Sequence, residues 1–210
     1  TLEDCIDTLS MNYIDLHQLS ILKGSEMETS AYREKHQLKA KHRVWVGCVG
    51  IYKLGEKEIP CAEIEEVVVE SKTLTFDDYI NCRIMNLLVK IYVDHDHFRE
   101  ILGVVKKYKL SVFQVLRLLK EEIMPKYPSL MKTINSYILH SKKPLFDSHE
   151  EIMNFVSDID NTRKYISGDL GQNELANHRV MAYMDNLDDL YKALKEAVTL
   201  FLKNKGLLTE

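Results

Sequence analysis

The stretch TFDDYINCRIMNLLVKIYVDHDH, residues 75–97, decides the fold class of the chain. Its large apolar residues recur at intervals of three and four, which places them along one side of an α-helix. Thr75, Asp77 and Asp78 mark the start of that helix, because carboxylates complement the partial positive charge of a helix N-terminus. The polar run from Asp94 marks its end. The apolar side consists of Tyr79, Ile80, Ile84, Leu87, Leu88, Ile91 and Tyr92.

Helix signals continue to the end of the chain. Ser111 with Gln114, and Ser148 with Glu151, have the spacing of a capping box, in which the serine side chain accepts a backbone hydrogen bond. A last long helix is predicted to end near Lys203, before a glycine that suits a C-cap. Its predicted apolar side consists of Leu187, Leu190, Tyr191, Leu194, Val198, Phe201 and Leu202. We therefore expect about five helices or more after residue 75.

The first part of the chain mixes strand and loop signals. The apolar-rich run 13–22, which ends at a glycine, predicts a buried strand entering a turn. Residues 44–52 are β-prone but contain two glycines, so they predict a bulged strand or a loop. Residues 64–69 are the clearest strand because of their β-branched content. The predicted fold class is mainly α: a helical C-terminal domain over residues 76–210, preceded by a small α/β segment over residues 1–75.

Composition excludes several classes of protein. The net charge is −4. The densest basic stretch, residues 35–43, lacks the interleaved aromatic residues of proteins that bind single-stranded nucleic acid. We therefore expect no nucleic-acid partner. No apolar run approaches the roughly 20 residues that a membrane span needs. The four cysteines are dispersed and fit free thiols of a cytoplasmic protein. The chain starts at Thr1 within an apparent helix, so we expect a piece of a longer protein.

A few polar residues are candidates for chemistry. Asp94 and His95-Asp96-His97 offer zinc, iron or manganese ligands, but residues 95 and 97 point apart in a helix or strand, so we expect a polar turn. His17 lies in the apolar run 13–22, where it either bonds locally or lines a substrate cavity. The adjacent acids Glu65-Glu66 and Asp77-Asp78 could perform acid–base catalysis only if they faced each other across a pocket. The chain has no phosphate-binding loop, serine-nucleophile motif or zinc-binding HExxH motif.

Two stretches resemble a known family. The first is HQLSILKGS at residues 17–25, followed by Tyr32-Arg33-Glu34-Lys35. The second is PCAEIEEVVVESKTLTFDDY at residues 60–79, which ends near Arg83. Their order and spacing are similar to those of a late segment of radical SAM proteins that carry an N-terminal cobalamin-binding domain. The resemblance spans roughly residues 15–90 and fades to a helical tail beyond them.

The resemblance implies a partial (β/α) barrel that holds a [4Fe–4S] cluster and S-adenosylmethionine, preceded by a cobalamin domain. Residues 19–24 would be a late barrel strand and its turn, at the end of the barrel where the chemistry occurs. Gly24 would allow close backbone approach to the cofactor, and Ser25 stands where the family often has threonine. These two residues are the candidate cofactor-binding positions, and His17 is the candidate for the substrate cavity.

The chain departs from the family at one decisive point. It has neither the cysteine triplet CxxxCxxC nor a glycine-rich strand for S-adenosylmethionine, so the cluster ligands are expected upstream of Thr1. This fragment would hold no cofactor itself and would line or cap the cavity of an unknown substrate, with the upstream domains as its partners. The full protein would cleave S-adenosylmethionine reductively, with methyl transfer through cobalamin as one candidate reaction. The alternative is a non-catalytic helical module that binds another protein through an apolar groove.

Overall fold

A computed structural model describes residues 1–9, 11 and 13–208. The described residues are mainly helical, with one small antiparallel sheet. The strands are β1 (Ser20–Ile21), β2 (Lys39–Leu54) and β3 (Lys57–Glu70). The α-helices are α1 (Ser30–His36), α2 (Phe76–Tyr92), α3 (Arg99–Lys107), α4 (Val112–Leu118), α5 (Pro128–Lys142), α6 (His149–Ser157), α7 (Ile159–Ser167) and α8 (Glu174–Asn204). None of these helices is long and apolar enough to cross a membrane.

Two compact units share the chain, and each is discontinuous in sequence. The sheet unit contains His17–Cys82 and Leu139–Glu174. The helical unit contains Thr1–Leu16, Arg83–Ile138 and Leu175–Glu210. The predicted division at residue 75 stays a prediction.

The sheet has the order β1-β3-β2, and both strand pairs are antiparallel. β2 and β3 form a long hairpin that turns at Gly55, whose φ of +63° suits glycine. β1 is short and pairs Ser20 with Val67 and Ile21 with Glu66. Because a (β/α) barrel is built from parallel strands, this sheet does not confirm the expected partial barrel.

The hairpin is irregular where the sequence predicts a bulge or a loop. Val44 pairs with Ile64 and Val49 with Ala62, so residues 45–48 lie opposite a single residue of β3. Gly47 has a φ of +78° within this bulge. On one face of the hairpin, Val44 packs with buried Ile152 and Val156 of α6. The prediction of a bulged strand is confirmed.

The apolar run 13–22 differs from the prediction of a buried strand. Only Ser20–Ile21 is strand, and Asn12 lies outside the described residues. Ile14 and Ile21 are buried, whereas Leu19 and Leu22 are exposed. β1 pairs on one side with β3, and that pairing buries Ile21 but leaves the two leucines without an apolar cover.

The helical unit contains the main core. The helix predictions, which concern both units, are largely confirmed. The described part of residues 76–210 forms seven α-helices, α2 to α8. The Ser111 hydroxyl accepts a hydrogen bond from the Gln114 backbone at 3.0 Å, and Ser148 accepts one from Glu151 at 3.1 Å. Residues that are at most 1% exposed include Leu87, Leu88, Tyr92, Val115, Leu116, Leu119, Ile123, Tyr137 and Leu194.

Two helices differ in detail from their predictions. The apolar pattern around Ile152 and Ile159 predicts one helix, but Asp158 separates α6 from α7 and accepts a hydrogen bond from the Asp160 backbone as an N-cap. α8 is kinked at Asn186, which has non-helical backbone angles. Leu187 and Tyr191 are exposed, although the sequence places them on the buried side of that helix.

Candidate functional site

The turn after β1 contains the two candidate cofactor-binding residues. Gly24 has a φ of +80°, and its N–H donates a 2.6 Å hydrogen bond to the Glu28 carboxylate. The Ser25 hydroxyl donates to the Leu22 carbonyl at 2.6 Å, which closes the turn. No atom lies within 4 Å of the position that a Gly24 Cβ would take, so the turn is open on that side. The His17 side chain is exposed, and its role at a substrate cavity stays a prediction.

The adjacent acids of β3 are separated by the sheet, because successive strand residues point to opposite faces. Glu65 accepts hydrogen bonds from the Ser20 hydroxyl at 2.8 Å and from Arg43 Nε at 2.5 Å. Arg43 also lies 3.4 Å from the Glu174 carboxylate. These three charged side chains are at most 13% exposed. Two carboxylates therefore share one guanidinium on this face.

Glu66 has a different set of partners on the other face. Arg33 donates to both of its carboxylate oxygens, at 2.5 and 2.9 Å. This bidentate bond holds the pKa of Glu66 below its usual range and raises the pKa of Arg33. The ion pair makes Glu66 a weaker base than a free carboxylate.

His42 lies beside this ion pair, directly opposite Glu66 in the β2–β3 register. Its ring centroid is 5.9 Å from that of His149. The Nδ1 atom of His42 is buried and has no hydrogen-bond partner among the described residues. Burial lowers the pKa of His42, and the neighbouring Glu66 charge offsets that effect in part. The lowered pKa favours the neutral imidazole of His42 beside the Arg33–Glu66 ion pair.

We call this group the carboxylate site; it consists of Ser20, Arg33, His42, Arg43, Glu65, Glu66, His149 and Glu174. It joins the two stretches that carry the family resemblance, because Ser20 and Arg33 come from the first and Glu65 and Glu66 from the second. The acids cannot form a catalytic pair, since they lie on opposite faces. The arrangement fastens β1 and α1 to β3.

The polar turn at residues 94–97 is also fixed by charge. Asp94 is fully buried, accepts a hydrogen bond from the Ile14 backbone at 3.1 Å, and lies 2.7 Å from Lys90 Nζ. Lys90 bonds Asp15 at the same distance. Burial disfavours its charge, but both carboxylates raise the pKa of Lys90. His95 and His97 are exposed, with ring centroids 6.3 Å apart.

The described residues contain no group of three or more His, Cys, Asp or Glu side chains placed to hold a metal ion. The cysteines are dispersed: Cys5 is in the helical unit, and Cys48, Cys61 and Cys82 are in the sheet unit. A [4Fe–4S] cluster of the radical SAM type needs three neighbouring thiolates. The thiols described here do not fit such a cluster, so none of its chemistry can be derived from this chain.

A buried polar cluster in the helical unit was not predicted from the sequence. Arg83 and His178 are 6% and 3% exposed. The Arg83 guanidinium lies 5.3 Å from the Tyr137 ring centroid, and that ring lies 5.3 Å from the His178 ring. Ser136 Oγ is 3.1 Å from His178 Nε2. These residues come from three helices, so local spacing could not reveal them; the only signal was Arg83 at the end of the second stretch.

No protein-family model matches the chain, and the curated proteins contain no significant match.

Proposed function

We propose that the chain is the C-terminal part of a cytoplasmic radical SAM enzyme with a cobalamin-binding domain. In this proposal the chain binds no cluster itself and lines or caps the substrate cavity formed with the upstream domains. The observation that carries the proposal is the carboxylate site. The β1–β3 pairing and the Arg33–Glu66 ion pair bring together the two stretches that resemble that family.

The proposal assigns a partner to the open edge of the sheet. β1 is the outer strand in the order β1-β3-β2, so its other edge can accept an upstream barrel strand. The Gly24–Ser25 turn, which follows β1, would then face the side of the barrel that holds S-adenosylmethionine. Cluster, S-adenosylmethionine and cobalamin would be held by residues that precede Thr1, and the substrate cavity would include His17.

The test uses the longer protein. We expect its sequence before Thr1 to contain CxxxCxxC, and the reduced, anaerobic protein to release 5′-deoxyadenosine from S-adenosylmethionine. The matched control replaces the three upstream cysteines with alanine, which should abolish that release. A longer protein without the cysteine triplet, or one that carries it but releases no 5′-deoxyadenosine, would contradict the proposal.

A second candidate function is a non-catalytic helical module that binds another protein. The observation that favours it is a row of large apolar side chains exposed on α8, Met184 among them at 80% exposure. Contiguous apolar surface of this kind marks interaction sites. Replacing Met184 with glutamate should abolish binding of the partner protein. Unchanged partner binding would contradict this candidate.

A further inference from the structure

One side of α8 carries an exposed apolar surface. We call it the α8 apolar face; it consists of Val180, Met181, Met184, Leu187 and Tyr191, all of which are exposed. Val180 and Met181 lie three to four residues from Met184, before the kink at Asn186, and Leu187 lies four residues from Tyr191, after it, so each set has the spacing of helix neighbours. Leu190, Leu194, Val198 and Leu202 of the same helix pack into the core of the helical unit. The exposed residues present apolar surface that the described part of the chain does not cover.

The face is held in place before any partner arrives. The Tyr191 hydroxyl donates to the His97 carbonyl at 3.2 Å, and its ring lies 4.7 Å from that of Phe98. The neighbouring Tyr183 donates to the Ile91 carbonyl at 2.5 Å. These contacts fix α8 to the end of α2 and the turn that follows it. A pre-formed surface loses little conformational entropy on binding, which favours affinity.

The edge of the face is acidic. Asp185 and Asp188 follow Met184 and Leu187 directly in sequence, and both are exposed. Neither carboxylate forms an ion pair with another described residue. The nearest lysine of the helix, Lys192, instead lies 3.9 Å from Asp189. Two exposed carboxylates without an ion pair, beside an apolar surface, favour a partner that supplies positive charge.

This charge pattern argues against a second copy as the partner. A two-fold dimer brings the same patch of both subunits together. Such a dimer would place Asp185 and Asp188 of both copies at the rim of one interface, where their like charges oppose association. A helix with apolar residues on one side and lysine or arginine along the margins satisfies both the surface and its rim.

We propose that the α8 apolar face binds a basic amphipathic helix of a partner protein. The apolar side of that helix covers Met184 and Leu187, and its basic margin pairs with Asp185 and Asp188. The unbranched methionine side chains adapt to the shape of the incoming residues. This inference specifies the kind of partner that the module of the second candidate function binds. It does not depend on the radical SAM proposal.

The experiment uses the 210-residue chain and a labelled synthetic helix of about four turns with leucine on one side and lysine on its margins. We expect binding, measured by fluorescence anisotropy, and no binding of the same peptide with glutamate in place of lysine. Asp185→Lys with Asp188→Lys should weaken the lysine peptide roughly tenfold or more, as expected for two lost charge pairs. The same variant should bind the glutamate peptide.

Matched controls separate this face from general attraction to an acidic protein. Glu56→Lys with Glu150→Lys makes the same change in net charge at exposed positions and should leave binding unchanged. Met184→Glu should abolish binding, whereas Met153→Glu, at an exposed methionine of the sheet unit, should not.

Equal losses in both charge variants, or binding that survives Met184→Glu, would overturn the proposal. A dimer in sedimentation that Met184→Glu dissociates would overturn it in favour of a second copy. If the peptide does not bind, the 5′-deoxyadenosine test of the longer protein still decides the radical SAM proposal by itself.

Discussion

Gly171 occupies a position where both the backbone and the neighbouring side chain exclude other residues. Its φ is +64°, and a Cβ built there would lie 2.6 Å from Cε1 of Tyr165. The nearby Gly168 has a φ of +84° but no atom within 4 Å of its own Cβ position. Both glycines have left-handed backbone angles, but only Gly171 also lacks space for a Cβ.

We predict that Gly171→Ala lowers the free energy of unfolding by about 2–5 kcal/mol, combining the cost of a left-handed alanine with overpacking against Tyr165. Gly168→Ala, the control, should lose only about 1–2 kcal/mol from the backbone. Urea unfolding measures both values. Equal losses in the two variants would show that the Tyr165 contact does not constrain residue 171.

His42 makes stability depend on pH. Because burial lowers the pKa of His42 below its ordinary value of 6.5, the folded chain binds fewer protons than the unfolded chain just below that pH. We predict that this contribution to the free energy of unfolding is fully present above pH 6.5 and is lost as the pH falls through the folded-state pKa. Urea unfolding between pH 7.5 and pH 5 should show a steeper loss for the wild type than for His42→Gln. Parallel pH profiles would contradict the prediction.

At the scale of elements, a charge cluster around the buried Asp94 fastens the segment before the sheet to the end of α2 and the turn after it. Asp94 bonds the Ile14 backbone, and Lys90 bridges Asp94 to Asp15. Removing Lys90 leaves a carboxylate that is 0% exposed without its counter-charge. Stability is lost because the Asp94 charge stays buried without compensation, and not only because its attraction to Lys90 is gone.

We predict that Lys90→Met lowers the free energy of unfolding by about 3–5 kcal/mol. The control is Lys39→Met, which breaks an exposed ion pair with Glu70 and should cost about 1 kcal/mol or less. Thermal or urea unfolding distinguishes the two. If Lys90→Met with Asp94→Asn is no more stable than Lys90→Met alone, the cost does not come from the unpaired carboxylate.

Local signals predicted the helices well, because capping and apolar spacing act within a few residues, as at Ser111 and Ser148. The beginning of β2 was missed because residues 35–43 have the composition of a solvated basic surface. In the structure Lys39 pairs with Glu70, Lys41 with Asp147 and Arg43 with Glu65. These partners are distant in sequence, so no local pattern could reveal them. The partners of Glu66 at the carboxylate site were hidden for the same reason.

At the scale of the whole molecule, the cysteines are dispersed over both units. We predict that anaerobic reconstitution with iron and sulfide leaves the 210-residue chain without a [4Fe–4S] cluster. Iron and acid-labile sulfide analysis, with ultraviolet–visible spectra, measures the outcome. About four iron and four sulfide per chain, lost on replacing its own cysteines with alanine, would contradict this prediction and the radical SAM proposal with it.

The discontinuity of the sheet unit has a consequence for synthesis on the ribosome. The hairpin of β2 and β3 is complete once residue 70 has emerged, but α6 and α7, which cover its apolar face, end at residue 167. At about 5–20 residues per second, the intervening chain takes roughly 5–20 s to appear. During that interval Val44 and Ile64 lack their cover, and the nascent hairpin offers an apolar surface to chaperones or to neighbouring chains on the same messenger RNA.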